Sequence, residues 1–496
     1  MEKTARTRFA PSPTGHMHFG SARTALYDYL LARQTGGQFI LRIEDTDKKR
    51  TVEGAEEELY AGLRWLGLQW DEGPQVGGQY GPYRQTERKE IYLQHARRLV
   101  ETGHAFYCFC TPETIKAERE KQIANKENTH YSGTCRNLSL TEADQRIAAG
   151  ETFVIRFKTP LDGVTRVVDE LRGEMVIDNR TLDDIILIKS DGFALYHLAA
   201  VVDDHLMEIT HVFRGAEWLP TFPLHALIHR AFGWVEPKWI HLSVFLKPSG
   251  KGKMSKREAA DLIQDGRSIF IKDLLELGYL PEAVNNWIAL MGWSYDDHTE
   301  FFTLPDLVEK FSIQKLNPSP AAINFTKLDH FNGLHIRNLT VDDLAQRLKP
   351  FFEKAGYKVD IDVLRKITPI IQERLVTLDD AIPLAGFFFE EKVSPILDEL
   401  IAKKLDAAGT LEIARKILAV LEAVPNLELD TVEPPLRTLV EKTGLKPGQV
   451  FGILRVAVTG LMVSPPLFES LAIIGREKVI ERLKIAIALL EESNDR

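Results

Sequence analysis

At 496 residues the chain exceeds one ordinary domain and implies about two to four. Its 44% hydrophobic and 27% charged residues exclude a disordered or fibrous chain. No apolar run approaches the roughly 18 residues of a membrane span. Three cysteines cannot build a disulfide framework, and the net charge of −9 excludes a generically basic nucleic-acid coat while leaving room for a local basic face. With no apolar leader after Met1-Glu2-Lys3, the expected location is cytoplasmic.

In chain order, Arg6 to Ala10 reads as a short strand, stopped by Pro11-Ser12-Pro13-Thr14-Gly15 because proline cannot donate to a central ladder. A helix follows from about Ser21, with Ala22, Leu26 and Tyr29-Leu30 at helical spacing and Gly36-Gly37 at its end. Phe39-Ile40-Leu41 is a compact apolar run of the kind buried in parallel sheets. This strand–helix–strand opening predicts a doubly wound nucleotide-binding domain. Residues 54–68 form an amphipathic helix with Leu59, Leu63 and Leu66 on one face.

Residues 81–180 are more mixed, with β-like runs at Phe153–Phe157 and Met175–Ile177, and read as an insertion. Strand and helix patterns resume at Asp184–Ile188 and continue to about residue 245. Beyond about 320 helical periodicity dominates, as in Val479, Leu483, Ile487 and Leu490. The expected fold class is α/β. A Rossmann-type parallel-sheet domain at 1–80 and 181–245 carries a small α/β insert at 81–180. A connecting domain at 246–325 and an all-helical region at 326–496 follow.

Two motifs carry chemistry. Pro11-Ser12-Pro13-Thr14-Gly15-His16-Met17-His18-Phe19-Gly20-Ser21 lies between the first strand and helix. Its glycines let backbone approach a ligand, the helix N-terminus offers free N–H groups to phosphate, and His16 and His18 can donate to phosphoryl oxygens. A purely structural turn is the competing reading. Lys247-Pro248-Ser249-Gly250-Lys251-Gly252-Lys253-Met254-Ser255-Lys256-Arg257 is a cationic, glycine-containing loop. Lys253 and Lys256 flanking Ser255 can clamp the charge of a triphosphate as it redistributes. A lone basic cluster is usually a solvated surface loop; its pairing with a phosphate-type turn on the same α/β pattern is what gives it weight.

His18-Phe19-Gly20-Ser21 and Lys253-Met254-Ser255-Lys256-Arg257 resemble the two sequence hallmarks of class I aminoacyl-tRNA synthetases. Arg8-Phe9-Ala10-Pro11-Ser12-Pro13-Thr14-Gly15 and Leu41-Arg42-Ile43-Glu44-Asp45-Thr46-Asp47 narrow the resemblance to bacterial glutamyl-tRNA synthetases. So do Tyr196-His197-Leu198-Ala199, Val201-Val202-Asp203-Asp204-His205 and Arg214-Gly215-Ala216-Glu217-Trp218. The likeness runs the length of the chain, to Phe331-Asn332-Gly333 and Leu454–Gly460. Ser21 departs from the histidine of many class I enzymes, but a small residue there is common in the glutamyl branch.

The resemblance implies a glutamate–tRNA ligase that uses ATP and Mg²⁺ to form glutamyl-adenylate and passes it to the terminal adenosine of tRNA(Glu). Arg8 and Arg214 would grip carboxylate, Glu44 the ammonium group, and Ser12 and Tyr196 would complete the glutamate pocket. His18, Gly20, Glu217, Trp218, Lys253, Ser255 and Lys256 would serve ATP, with His18, Gly20, Lys253 and Lys256 closest to the chemistry. The insert would meet the acceptor stem, and the helical rear would read splayed anticodon bases. Monomeric behaviour is the family expectation. Two alternatives stay open: a non-discriminating enzyme that also charges tRNA(Gln), and a catalytically inactive tRNA-binding paralogue. The truncated paralogue that glutamylates a modified tRNA base lacks the rear half.

Cys108-Phe109-Cys110 and Cys135 match the C-x-C…C spacing that some bacterial relatives use for zinc. Relatives can supply a histidine two residues after the third cysteine; here that position is Asn137, a poor ligand. Tyr131 and His130 are nearby substitutes, and a tyrosine four before the third cysteine resembles the zinc site of the related glutamyl-queuosine synthetases; three buried thiols without metal form the competing reading.

Overall fold

The computed structural model describes residues 4–47, 50–252, 262 and 267–494. The chain divides into two compact units, Met1–Glu276 with Pro281–Phe325, and Leu277–Leu280 with Thr326–Arg496. In the first unit, strand β1 (Arg6–Phe9) leads through the proline-rich turn into helix α1 (Phe19–Gln34) and back to β2 (Gln38–Leu41). β1 and β2 pair in parallel, Arg8 opposite Ile40. Residues Ala22, Leu26 and Leu30 of α1 are fully buried on this sheet. Gly37 permits the return: a Cβ there would sit 1.9 Å from the Ala5 carbonyl oxygen.

Helix α2 (Ala55–Trp65) buries Leu59 and Leu63 as the pattern requires. After α3 (Lys89–Glu101) come β3 (Ala105–Cys108), α4 (Pro112–Ala124), α5 (Leu140–Ala148), β4 (Val154–Phe157), β5 (Val164–Asp169), β6 (Gly173–Asp178) and β7 (Ile186–Ile188). The chain continues through α6 (Tyr196–Leu206), β8 (His211–Gly215), α7 (Phe222–Phe232) and β9 (Lys238–Leu242) to the short β10 (Phe245–Leu246). β8 and β9 are parallel, with Arg214 opposite His241, and β5 joins β9 in parallel at Asp169 and Trp239. β1 borders β8, since Thr210 N–H donates to the Arg6 carbonyl at 2.9 Å. The expected parallel α/β sheet is present, with crossover helices between its strands.

The sheet assignment of two segments differs from the linear reading. The β5–β6 hairpin, expected within the insert, extends the large sheet in the order β6-β5-β9-β8. Ile186–Ile188, expected to return to that sheet, instead closes the antiparallel sheet β3-β4-β7. Both are short, and short strands take their partner from tertiary packing rather than from pattern. The small sheet is not a separate module, because Leu99, Ile155 and Leu187 share a core with Leu198 and Val202 of α6.

The second unit is helical, as expected. Its helices include Val341–Lys354, Ile361–Ile371, Ala407–Ala423, Leu429–Thr443, Pro447–Thr459 and Arg476–Asn494. Arg482 is buried there and, among the described residues, hydrogen-bonds only to carbonyl groups, donating to Val458 at 2.7 Å, to Phe387 at 2.9 Å and to Glu390. It thereby satisfies the end of the Pro447–Thr459 helix. Among the described residues no helix is long and apolar enough to cross a membrane.

Candidate active site

The turn after β1 is shaped around His18. Its imidazole caps α1, Nδ1 accepting from Ser21 N–H at 3.2 Å. A Cβ at position 20 would lie 2.9 Å from that ring, so Gly20 is what lets the ring fold back over the helix start. Phe19 N–H donates to Ile269 O, and Ile271 N–H to Met17 O, both at 2.9 Å. On the other side Phe19 packs edge-on to Phe245 of β10 at 4.9 Å. Both flanks of the basic segment are therefore anchored on the first motif. Lys253, Ser255 and Lys256 themselves lie outside the described residues.

Beneath this turn, charges are buried in pairs. Arg8 donates from Nε to Asp204 Oδ1 at 3.0 Å and from Nη1 to the Phe213 carbonyl at 3.2 Å. Arg42, fully buried, donates to the same Asp204 oxygen at 2.7 Å and to Glu44 Oε1 at 3.0 Å. Asp203 accepts from Arg88 at 2.7 Å, Tyr92 at 2.8 Å and Gln85 at 2.9 Å. Burial works against ionisation of Asp204, yet Arg8 and Arg42 outweigh it and hold the carboxyl below its ordinary range. Burial dominates at Glu44 and pushes its carboxyl up despite Arg42. Ser12 is exposed in the turn, and the Glu44 N–H to Pro11 O bond at 3.0 Å holds that turn against Glu44.

Arg214, on β8, is 5% exposed. Its Nε donates to His241 Nε2 at 2.9 Å and its Nη1 to His225 Nδ1 at 3.1 Å; Nη2 is buried with no hydrogen-bond partner among the described residues. Tyr196 feels the charges of Arg214, Glu44 and Arg8, and its ring packs on Trp218 with centroids 4.2 Å apart. Gly215 leaves room for the exposed Glu217 carboxylate, which a Cβ would meet at 2.2 Å. Two buried cations, one buried carboxylate and an aromatic shelf thus gather at the carboxyl ends of β1, β2 and β8, where open α/β sheets bind ligands.

Burial keeps the histidines of this region neutral: it pushes His197 and His229 down to about 4, and His225 further, with Arg214 adding to the shift at His197 and His225. In the unfolded chain such groups titrate near 6.5. Their folded values are depressed, so the stability they carry is whole above about pH 6.5 and is lost as pH falls through about 4. At pH 5 the loss at His229 amounts to about 2 kcal/mol. Urea midpoints should fall clearly between pH 7.5 and pH 5; equal midpoints would contradict neutral burial.

In the small sheet, the Sγ atoms of Cys108, Cys110 and Cys135 lie within 4.8 Å of one another. Tyr131 Oη is 3.3 Å from Cys108 Sγ and 3.6 Å from Cys110 Sγ, and Cys110 and Cys135 are 3.7 Å apart. Tetrahedral zinc bonds of about 2.3 Å to sulfur and 2.0 Å to oxygen give edges of roughly 3.8 Å and 3.5 Å. These three separations match such edges. Neither His130, whose backbone is tied to Gln122, nor Asn137 is needed.

Residues 4–330 match the family model described as tRNA synthetases class I (E and Q), catalytic domain, and residues 343–487 match an anticodon binding domain. A glutamate–tRNA ligase of Dehalococcoides mccartyi is 44% identical over 497 residues, covering 99% of each chain. That of Chloroflexus aurantiacus is 45% identical over 507 residues, again covering 99% of each. The crystal structure of a glutamate tRNA ligase from Elizabethkingia meningosepticum, in complex with its amino acid, superposes with a TM-score of 0.88 at 34% identity. It covers 98% of this chain and 100% of that one. The chain belongs to the glutamate–tRNA ligase family of class I tRNA synthetases.

Of the residues expected to serve this ligase family, Arg8, Glu44, Tyr196 and Arg214 come together, and His18 and Gly20 form one turn anchored at Phe245. Missing from the sequence reading were Arg42, Asp203 and Asp204, which neutralise one another beneath the site, and His225 and His241, which hold Arg214. The signal was present in Leu41-Arg42-Ile43-Glu44 and Val201-Val202-Asp203-Asp204: charges embedded in apolar runs must be paired when buried.

Proposed function

We propose that the chain activates L-glutamate with ATP and transfers it to the 3′-terminal adenosine of tRNA(Glu), releasing pyrophosphate and then AMP. The observation that carries the reading is the buried pair Arg8 and Arg214 facing Glu44: a carboxylate side chain needs a cation, and an α-ammonium group needs an anion. Arg214 Nη2 supplies N–H donors for a carboxylate, Arg8 adds charge, and Glu44 Oε2, unbonded among the described residues, takes the ammonium. Ser12 and Tyr196 complete the pocket.

The glutamate α-carboxylate oxygen attacks the α-phosphorus of ATP, the bond to the bridging oxygen breaks, and pyrophosphate leaves. No side chain acts as nucleophile; positioning and electrostatics carry the step. His18 and the N–H groups behind Gly20 receive phosphate, Glu217 and Trp218 line the nucleotide site, and Lys253, Ser255 and Lys256 stabilise the departing charge. Mg²⁺, supplied with ATP, would screen the charge of the departing pyrophosphate. The adenosine hydroxyl then attacks the mixed anhydride and AMP leaves. Residues 81–180 meet the acceptor stem, 246–325 connect, and 326–496 bind the anticodon. The enzyme works as a cytoplasmic monomer.

Labelled glutamate should be charged onto a tRNA(Glu) transcript with Mg²⁺-ATP, and excess aspartate or glutamine should not compete; competition by glutamine would mean that no cation reads the side-chain carboxylate. Cys108, Cys110, Cys135 and Tyr131 would hold a structural zinc, which by closing its coordination shell braces the small sheet. Purified protein should contain about one zinc per chain, falling to near zero in Cys110→Ala. Fully active protein without zinc would remove this site from the account.

A further inference from the structure

Arg214 stands in the middle of a hydrogen-bonded chain. Asp169, His241 and Arg214 come from neighbouring strands β5, β9 and β8, and Arg214 and His241 are register partners. Asp169 Oδ2 lies 2.7 Å from His241 Nδ1 and also accepts the His241 N–H at 3.0 Å. Its Oδ1 accepts the N–H groups of Leu171 and Arg172, each at 3.1 Å, so the carboxylate cannot turn. On the other side of Arg214, His225 Nε2 is 2.9 Å from His197 Nδ1. Asp169, His225 and His241 are all buried.

The chemistry of the two fixed groups sets every proton between them. A guanidinium only donates, so His241 Nε2 and His225 Nδ1 must both accept. His241 therefore carries its proton on Nδ1 and gives it to Asp169, an acceptor only. His225 carries its proton on Nε2 and gives it to His197. Two of the guanidinium's three nitrogens are fixed in this way, and Nη2 is left without a hydrogen-bond partner among the described residues. We infer that Asp169, His241 and His225 are positioning residues for amino-acid binding: they lock the Arg214 guanidinium with one nitrogen presented to the substrate carboxylate. The inference rests on the reading of Arg214 as that carboxylate's cation. Preorganisation of this kind lowers the ordering cost of binding.

The test uses isosteres in the full chain, with glutamate and ATP titrated separately in tRNA(Glu) charging. A glutamine amide reaches the position of a histidine Nε2, whereas an asparagine amide reaches that of Nδ1. At 241 the atom facing Arg214 is Nε2; at 225 it is Nδ1. His241→Phe should raise KM for glutamate about tenfold, the loss of one charge-assisted bond, with KM for ATP unchanged. His241→Gln should restore most of the affinity and His241→Asn should not. At 225 the ranking should reverse, with His225→Asn better than His225→Gln. A merely structural defect would not invert the order between the two positions, and thermal melting of each variant separates misfolding from misplacement. Equal behaviour of the amides at either position, or an unchanged glutamate KM in His241→Phe, would overturn the positioning role. An unchanged glutamate KM in Arg214→Ala would instead overturn the site reading beneath it.

Discussion

Arg214→Ala should reduce kcat/KM for glutamate by about a thousandfold while the protein stays folded. Losing the charge-assisted hydrogen bond from Nη2, roughly 1.5–3 kcal/mol, together with the buried positive charge facing the carboxylate comes to about 4 kcal/mol, which corresponds to three powers of ten. The loss should appear mainly in KM, because the carboxylate is held equally before and during attack on phosphorus. The same variant should lose preference for glutamate over glutamine, since only a fixed cation distinguishes carboxylate from amide. Charging kinetics with both amino acids measure this directly. A loss confined to kcat, with selectivity intact, would place Arg214 away from the side-chain carboxylate.

Asp204→Ala should destabilise the first unit by about 3–5 kcal/mol, the cost of stripping a buried charge from its partners. Asp204 serves Arg8 at 3.0 Å and Arg42 at 2.7 Å, and neither guanidinium can reach water from its buried position. Asp204→Asn keeps the shape but not the charge and should fall between the wild type and alanine. Urea denaturation read at neutral pH gives both values; a cost below about 1 kcal/mol for Asp204→Ala would mean the network does not hold the sheet. Because Arg8 is itself proposed to bind substrate, the surviving folded fraction should also bind glutamate more weakly. Stability and substrate recognition therefore share one carboxylate.

Much of this was legible in the sequence, and the reasons are physical. The opening strand, helix and strand follow from prolines that stop β1, helical spacing in α1 and glycines at its end. Gly20 and His18 were legible as one turn between strand and helix, although the reason for the glycine, room for the His18 ring, needs coordinates. Strand partnership was not legible: Ile186–Ile188 and the strands of the β5–β6 hairpin are too short to declare their sheet. Nor was the pairing of Arg42 with Asp204, because the residues are 162 positions apart and only folding brings them together. Tyr131 entered as a candidate ligand through the family resemblance, and it stands 3.3 Å and 3.6 Å from the sulfurs of Cys108 and Cys110.

The decisive measurement is charging of labelled glutamate onto separate tRNA(Glu) and tRNA(Gln) transcripts with Mg²⁺-ATP, alongside Lys256→Ala. The account predicts efficient charging of tRNA(Glu) by the wild type and loss of most of it in the variant. Charging of tRNA(Gln) as well would make the enzyme non-discriminating while leaving the chemistry as described. Charging of neither transcript would contradict the account and identify the chain as a tRNA-binding member of its family without ligase activity.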